Sequence, residues 1–279
     1  MSGLRLGQVE YFSYLPVYYA LEEGVLPLEA ELVKGSPAHL NRLFLDGELE
    51  VTSLSSIEYA RHSKNCLILP ELSIGSDGRV ANILFFSKIP VTELEGKKVC
   101  LTESAATSVV MLKVLFDHYY HVDVQFETVP PVLDQMMLAA DGALLIGDEA
   151  VLAHQRVREK RLPYQVTDLG EAWGQFTGEK MVYALWVARR DYAEANPGKM
   201  RELVRSLLAS KKFGTGELPR IIARAKKNSP LPLPVIEDCF KTIRYEFDES
   251  YQHALLTFYN YAYKSGLIED RVRLRFLGE

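Results

Sequence analysis

Hydroxyl side chains gather where apolar, strand-like runs of this chain give way to helical patterns. Ser55-Ser56, Ser104 with Thr107-Ser108, and Ser13 within Tyr11-Phe12-Ser13-Tyr14-Leu15-Pro16 are the clearest cases. Asn82, before Ile83-Leu84-Phe85-Phe86, and Gly147-Asp148 stand at similar junctions. A hydroxyl or free backbone N–H at a helix start donates to an anion, and the helix dipole favours negative charge there. Such a set can hold a small carboxylate without Arg or Lys. It can also stabilise charge that grows on that carboxylate during a reaction. Each junction has a second reading, because Ser, Thr and Asp are good N-caps. One hydroxyl suffices for a cap, so the doubled pairs Ser55-Ser56 and Thr107-Ser108 favour ligand contact. For Asp148, cap and ligand contact stand level.

Other chemistries find no pattern. The chain lacks a G-x-S-x-G elbow, a Walker A loop and G-x-G-x-x-G. Its six histidines show no H-E-x-x-H spacing. Cys66, Cys100 and Cys239 lie far apart among apolar neighbours and read as buried free thiols, so neither a metal site nor a cofactor is expected. Net charge is −5 over 279 residues, which argues against a nucleic-acid partner. Lys211-Lys212 and Lys226-Lys227 read as solvated helix faces. No charged segment followed by an apolar one opens the chain, and no apolar run reaches the roughly 18 residues of a membrane span. A cytoplasmic location without a membrane partner is therefore expected. Nothing in the pattern reports oligomeric state.

Positioning these residues requires alternating elements. Strands are expected at 4–9, 30–33, 49–54, 66–69 and 80–86, with helices at 17–23, 36–46 and 57–62. Ser36-Pro37 supplies an N-cap and a first-turn proline. Ser55-Ser56-Ile57-Glu58 has the form of a capping box. A second group follows, with strands at 98–101, 122–126, 143–146 and 164–169 and helices between them. Met181 to Ala188 reads as a long crossing strand, and from about Tyr192 the pattern reads as helical almost to the end. Trp173 and Trp186 read as core. Two successive groups of this kind specify an α/β fold in two lobes, with mostly parallel sheets. Ligands bind such sheets outside the carboxyl ends of the strands, where the junctions lie.

Several stretches together resemble the chorismate dehydratase family of the futalosine route to menaquinone. They are Pro37-Ala38-His39-Leu40-Asn41-Arg42-Leu43, Val51 to Ala60, Ser104-Ala105-Ala106-Thr107-Ser108, Leu145-Ile146-Gly147-Asp148-Glu149-Ala150, and Asp168-Leu169-Gly170-Glu171-Ala172-Trp173 with Ala184-Leu185-Trp186. The resemblance implies a two-lobed, type II periplasmic-binding-protein-like fold with a ligand cleft between the lobes. Lobe one would comprise 1–88 and 184–279, and lobe two 89–183. It implies a hydro-lyase that takes chorismate to 3-[(1-carboxyvinyl)oxy]benzoate and water, with the substrate's own enolpyruvyl carboxylate as proton acceptor.

The implied site has Ser13 and Asn82 in catalytic positions. Tyr11, Ser55, Ser56, Ser104, Thr107, Ser108, Gly147 and Asp148 would contact substrate, and Tyr11 and Tyr14 would wall the ring. Ser13 stands where the family pattern has Asn, and Asn82 where it often has Ser. The two residue types are exchanged, and the pair is expected to face each other across the ligand. Two other readings share the fold: a solute-binding protein for a small carboxylate, and a family member acting on a related aromatic precursor, such as dihydroxynaphthoate synthase.

Overall fold

The structure is a computed structural model that describes residues 3–103 and 106–278. From the amino end, strands and helices alternate as β1 (Arg5–Val9), α1 (Leu15–Glu22), β2 (Glu31–Gly35), α2 (Pro37–Leu45), β3 (Val51–Ser55), α3 (Ser56–His62) and β4 (Cys66–Ser76). The chain then crosses into β5 (Ile83–Ser87), β6 (Lys98–Thr102), α4 (Ala106–Leu115), β7 (Gln125–Val129), α5 (Leu133–Ala139), β8 (Gly142–Ile146), α6 (Gly147–Lys160), β9 (Gln165–Asp168) and α7 (Leu169–Thr177). It returns through β10 (Met181–Arg189) to α8 (Arg190–Ala195), α9 (Pro197–Gly216), α10 (Leu218–Asn228), α11 (Leu233–Thr242), β11 (Ile243–Arg244) and α12 (Glu249–Lys264).

Two sheets result, in the orders β11-β4-β10-β3-β1-β2 and β7-β6-β8-β5-β9. Each carries helices of its own and makes one lobe. The parallel sets are β2-β1-β3 and β7-β6-β8. The expectation of mostly parallel sheets is corrected at β10 and β5, which run antiparallel to β3 and β8. The reason is the crossing itself. The parallel strands run toward the cleft, whereas β5 and β10 enter their sheets from the cleft side and run away from it.

Pairing also differs from the expected lobe boundaries. Residues 83–87 lie in the second sheet, and Met181 and Val182 already pair with β4 in the first. The two crossings are therefore 77–82 and 178–180. An apolar run such as Val80 to Phe86 holds no local signal for the sheet it will join.

Local signals act as their chemistry demands in most places. Ser36 caps α2 by accepting from the His39 N–H at 3.3 Å, with Pro37 in the first turn. Asp168 caps α7, and Asp248 caps α12. The capping box at Ser55 does not form: Ser55 makes no side-chain cap bond, and Glu58 pairs with Arg61 instead. Trp173 and Trp186 are fully buried, each contributing on the order of 2–3 kcal/mol of apolar burial. The Trp186 Nε1–H donates to the Tyr18 hydroxyl at 2.9 Å, which donates to the Gly7 carbonyl at 2.9 Å. No helix among the described residues is long and apolar enough to cross a membrane.

Candidate active site between the lobes

Between the two sheets lies a cleft of about 60 Å³. Its walls include Tyr11, Ser13 and Tyr14 from the turn after β1, Ser55 at the end of β3, and Tyr183 in β10. Asn82 enters from the first crossing, Thr107 and Ser108 from the start of α4, and Gly147 from the start of α6. Ser104 lies outside the described residues.

The turn after β1 is a 3₁₀ turn, Phe12–Tyr14, continuous with α1. Phe12 packs against Phe240 at 5.5 Å, and Tyr14 against Trp186 at 5.8 Å. The Tyr245 hydroxyl donates to the Ser13 carbonyl at 2.7 Å. These contacts fix the backbone and leave the Ser13 side chain toward the cleft. Across the cleft, a β-carbon built on Gly147 would come within 2.5 Å of the Tyr11 ring, so the ring lies directly on this glycine. Gly147 also has φ +64°, a conformation that L side chains resist.

Not every expected hydroxyl is available to a ligand. Ser56 donates to the Val182 carbonyl at 2.8 Å. Thr107 donates to the Tyr183 carbonyl at 3.0 Å and accepts from the Ile57 N–H at 3.2 Å. Each hydroxyl has one proton, so both are spent. Ser56 lies beneath the cleft rather than in its wall, and Thr107 fastens α4 of lobe two onto lobe one. The Gly147 N–H is likewise committed, donating to the Asn82 carbonyl at 2.7 Å.

Ser55 is different. The Asn41 amide donates to its oxygen at 2.9 Å, while the Ser55 N–H donates to the Asn41 carbonyl oxygen at 3.2 Å. With its oxygen already accepting, the Ser55 O–H is left to donate into the cleft. Asn41 was not anticipated as a site residue. Its signal was present: it occupies a buried position beside Leu40 and Phe44 on the apolar face of α2, where a polar side chain needs a partner.

Tyr183 was also unanticipated, because it lies within the apolar run Met181 to Ala188, which reads as a crossing strand. Ser76 donates to the Gly78 carbonyl at 2.9 Å, so the Tyr183 hydroxyl, 3.1 Å from Ser76, is the donor of that pair. Burial raises the Tyr183 phenol pKa and pushes that of Tyr14 up to about 12, so both stay protonated at neutral pH.

Asn82 is presented by a strained segment. Ala81 has φ +69°, and the Asp168 carboxylate accepts from the N–H groups of Val80 and Ala81, the latter at 2.7 Å. The same carboxylate accepts from the Glu171 N–H at 3.1 Å. One side chain thus caps α7 and holds the first crossing. Such strain persists where surrounding bonds over-determine it.

Asp148 does not line the cleft. It faces a neighbouring polar chamber of about 160 Å³, shared with Gln8, Glu10, Glu22, Lys34 and Arg224, with Tyr11 between the two spaces. It does not cap α6 either, since Ile146 is the cap residue and no side-chain cap bond forms. Burial first, and Glu149 second, push its carboxyl up to about 7, against the pull of the Phe12 N–H. What remains open to a ligand in the cleft is neutral: the Ser13, Ser55 and Ser108 hydroxyls and the Asn82 amide, framed by tyrosines.

The menaquinone biosynthesis family model matches residues 4–264. This chain belongs to the menaquinone biosynthesis family. A relative within reach of this family member is the chorismate dehydratase of Thermus thermophilus, 31% identical over 262 residues, covering 89% of this chain and 91% of that protein. The 1,4-dihydroxy-6-naphtoate synthase of the same organism is 30% identical over 215 residues, covering 75% and 74%. The fold of this menaquinone biosynthesis family member is periplasmic-binding-protein-like. The crystal structure of protein AF1704 from Archaeoglobus fulgidus matches it with a TM-score of 0.75 at 22% identity, covering 95% of this chain and 98% of that one. The periplasmic aliphatic sulphonate binding protein SsuA from Escherichia coli matches with a TM-score of 0.67 at 15% identity, covering 96% and 94%.

Proposed function

We propose that this family member is a cytoplasmic chorismate dehydratase, a lyase that converts chorismate to 3-[(1-carboxyvinyl)oxy]benzoate and water. One observation carries the reading. The cleft gathers neutral hydrogen-bond donors from both lobes, with no Lys, Arg, His, Asp or Glu among its described lining residues. The Thermus relative of that name adds support.

The chemistry needs little else. The proton lost lies on the ring carbon that bears the enolpyruvyl ether, gamma to the ring carboxylate. Its removal makes a dienolate whose charge spreads onto that carboxylate. Expulsion of the hydroxyl on the adjacent ring carbon then completes an aromatic ring. Ser55 and Ser108 donate to the carboxylate as its charge grows, which is where fixed donors in a dry site act most strongly. Ser13 and Asn82 hold the far side of the ring and the departing hydroxyl. With no basic side chain lining the cleft, the substrate's own enolpyruvyl carboxylate accepts the proton and hands it to the leaving hydroxyl, which departs as water.

The cleft must open for this. Its volume of about 60 Å³ is far below the roughly 300–1,000 Å³ of small-molecule sites. Opening about the crossings at 77–82 and 178–180 admits substrate, and closure lays Tyr11 back on Gly147. The test is direct. Purified protein is mixed with chorismate, and ultraviolet absorbance and mass are followed for the loss of one water. Tight binding without turnover would replace the lyase with a binding protein, and no binding would redirect the search to another aromatic acid.

A further inference from the structure

A cavity much larger than the cleft lies outside it. It is a groove of about 650 Å³ on lobe one, between the end of α3 and the carboxyl-terminal segment. Its wall is made by alternation in Arg271-Val272-Arg273-Leu274-Arg275-Phe276. Successive side chains of an extended segment point to opposite sides. Arg271, Arg273 and Arg275 line the groove, while Val272, Leu274 and Phe276 pack against the core.

The backbone of this segment is pinned. The Ile68 N–H donates to the Arg275 carbonyl at 2.8 Å, and the Leu277 N–H to the Ile68 carbonyl at 2.9 Å. The Tyr59 hydroxyl donates to the Arg273 carbonyl at 3.1 Å and accepts from the Arg275 N–H at 2.9 Å. The guanidinium groups therefore stand on a fixed frame rather than on a loose end.

Arg61 and Lys64 face them across the groove. Arg61 is paired with Glu58, and Arg271 donates to Asn260 at 3.3 Å while lying 5.1 Å from the Tyr263 ring centre. Lys64 meets Asp270 at 3.5 Å, but both are 79% exposed, so water screens that pair and a ligand displaces it at little cost. No ion pair among the described residues engages Arg273 or Arg275. Glu269 and Asp270 also line the groove, so five Arg and Lys side chains stand against two acidic ones in one concave place on a chain of net charge −5.

Alternate residues of an extended segment stand about 6.6–6.8 Å apart. That spacing lets two guanidinium forks each take an oxyanion group of one molecule. The volume falls in the range of small-molecule sites, about 300–1,000 Å³. We propose that this groove binds a small polyanion carrying two or more phosphate or carboxylate groups. The proposal does not rest on the reaction in the cleft. The two places are joined by α3, which begins beside the cleft at Ser56 and ends at the groove with His62.

Inorganic triphosphate and citrate are the probes, titrated by calorimetry against the full chain in low-salt buffer. Saturable binding of at least one is expected, weakening as salt is raised. The double variant R273A/R275A should bind about tenfold more weakly or worse, a change of about 1.4 kcal/mol. Only backbone atoms of these two residues make the structural bonds, so its unfolding midpoint should stay within about 2 °C of the parent. The variant R273K/R275K, which keeps the charge but loses the fork, should fall between the two. Binding of triphosphate alone identifies a phosphate ligand, and of citrate alone a carboxylate. Absence of saturable binding, equal affinity in R273A/R275A, or binding only to phosphatidylglycerol vesicles would overturn the proposal.

Discussion

The cleft and the groove are opposite answers to the problem of attracting an anion. The cleft is small, neutral and assembled from both sheets, with residues as distant in sequence as Tyr11 and Tyr183. The groove is large, cationic and built from two short segments, 60–64 and 266–275. Charge in the groove attracts through water and is weakened by salt. Neutral donors in the cleft do little at long range, but they act at full strength once closure excludes water. The larger space is therefore not the more chemical one. In the cleft, one misplaced hydroxyl should matter; in the groove, no single cation should.

The strongest test of that contrast is Ser13→Ala. Loss of its hydrogen bond to the departing hydroxyl, where charge develops as the C–O bond breaks, should lower turnover of chorismate by about 10²–10³-fold, roughly 3–4 kcal/mol. Ser13→Asn combined with Asn82→Ser should recover activity that either substitution alone loses. Unchanged turnover in Ser13→Ala would remove Ser13 from the site. Next is Gly147→Ala, which forces a β-carbon against the Tyr11 ring at a positive φ. It should cost about 1–3 kcal/mol in thermal or denaturant stability, and a raised KM would show that closure suffers.

Asp148→Asn should act through pH. The folded-state pKa is raised to about 7, above the ordinary carboxylate value. The folded protein therefore holds more protons than the unfolded one across roughly pH 4–7, and the charged form weakens stability as pH rises through that window. The variant should match the parent only at or below about pH 4 and exceed it near pH 8 by about 1–2 kcal/mol, allowing for partial exposure. Parallel denaturation curves at both pH values would contradict this. The smallest effect belongs to the groove: Arg61→Ala removes an exposed pair with Glu58 and should change stability by no more than about 0.5 kcal/mol.

Much of the candidate site was legible because it obeys a local rule. Ser13, Ser55, Asn82, Ser108 and Gly147 stand at junctions between strands and helices or at crossings, and the carboxyl ends of parallel strands bring such junctions together. The Ser36 cap, the buried tryptophans and the helical tail followed from residue type and period alone. Other features were settled at a distance. Ser55 and Ser56 are neighbours of one type, yet only Ser55 has its O–H left to donate, because Asn41 donates to the Ser55 oxygen from α2 while Ser56 donates its own O–H to the Val182 carbonyl. Asp148 adjoins Gly147 but looks into another chamber.

The amino-acid sequence by itself determined the alternation of elements, the two-lobed class and the neutral, hydroxyl-rich character of the junctions, since these depend on period, capping chemistry and composition. Tertiary structure alone decided the direction of β5 and β10, the sheet each joins, and which hydroxyls remain free. Those outcomes depend on partners dozens of residues away, and a hydrogen bond gives no sign in the sequence until the chain folds and brings its two ends within about 3 Å.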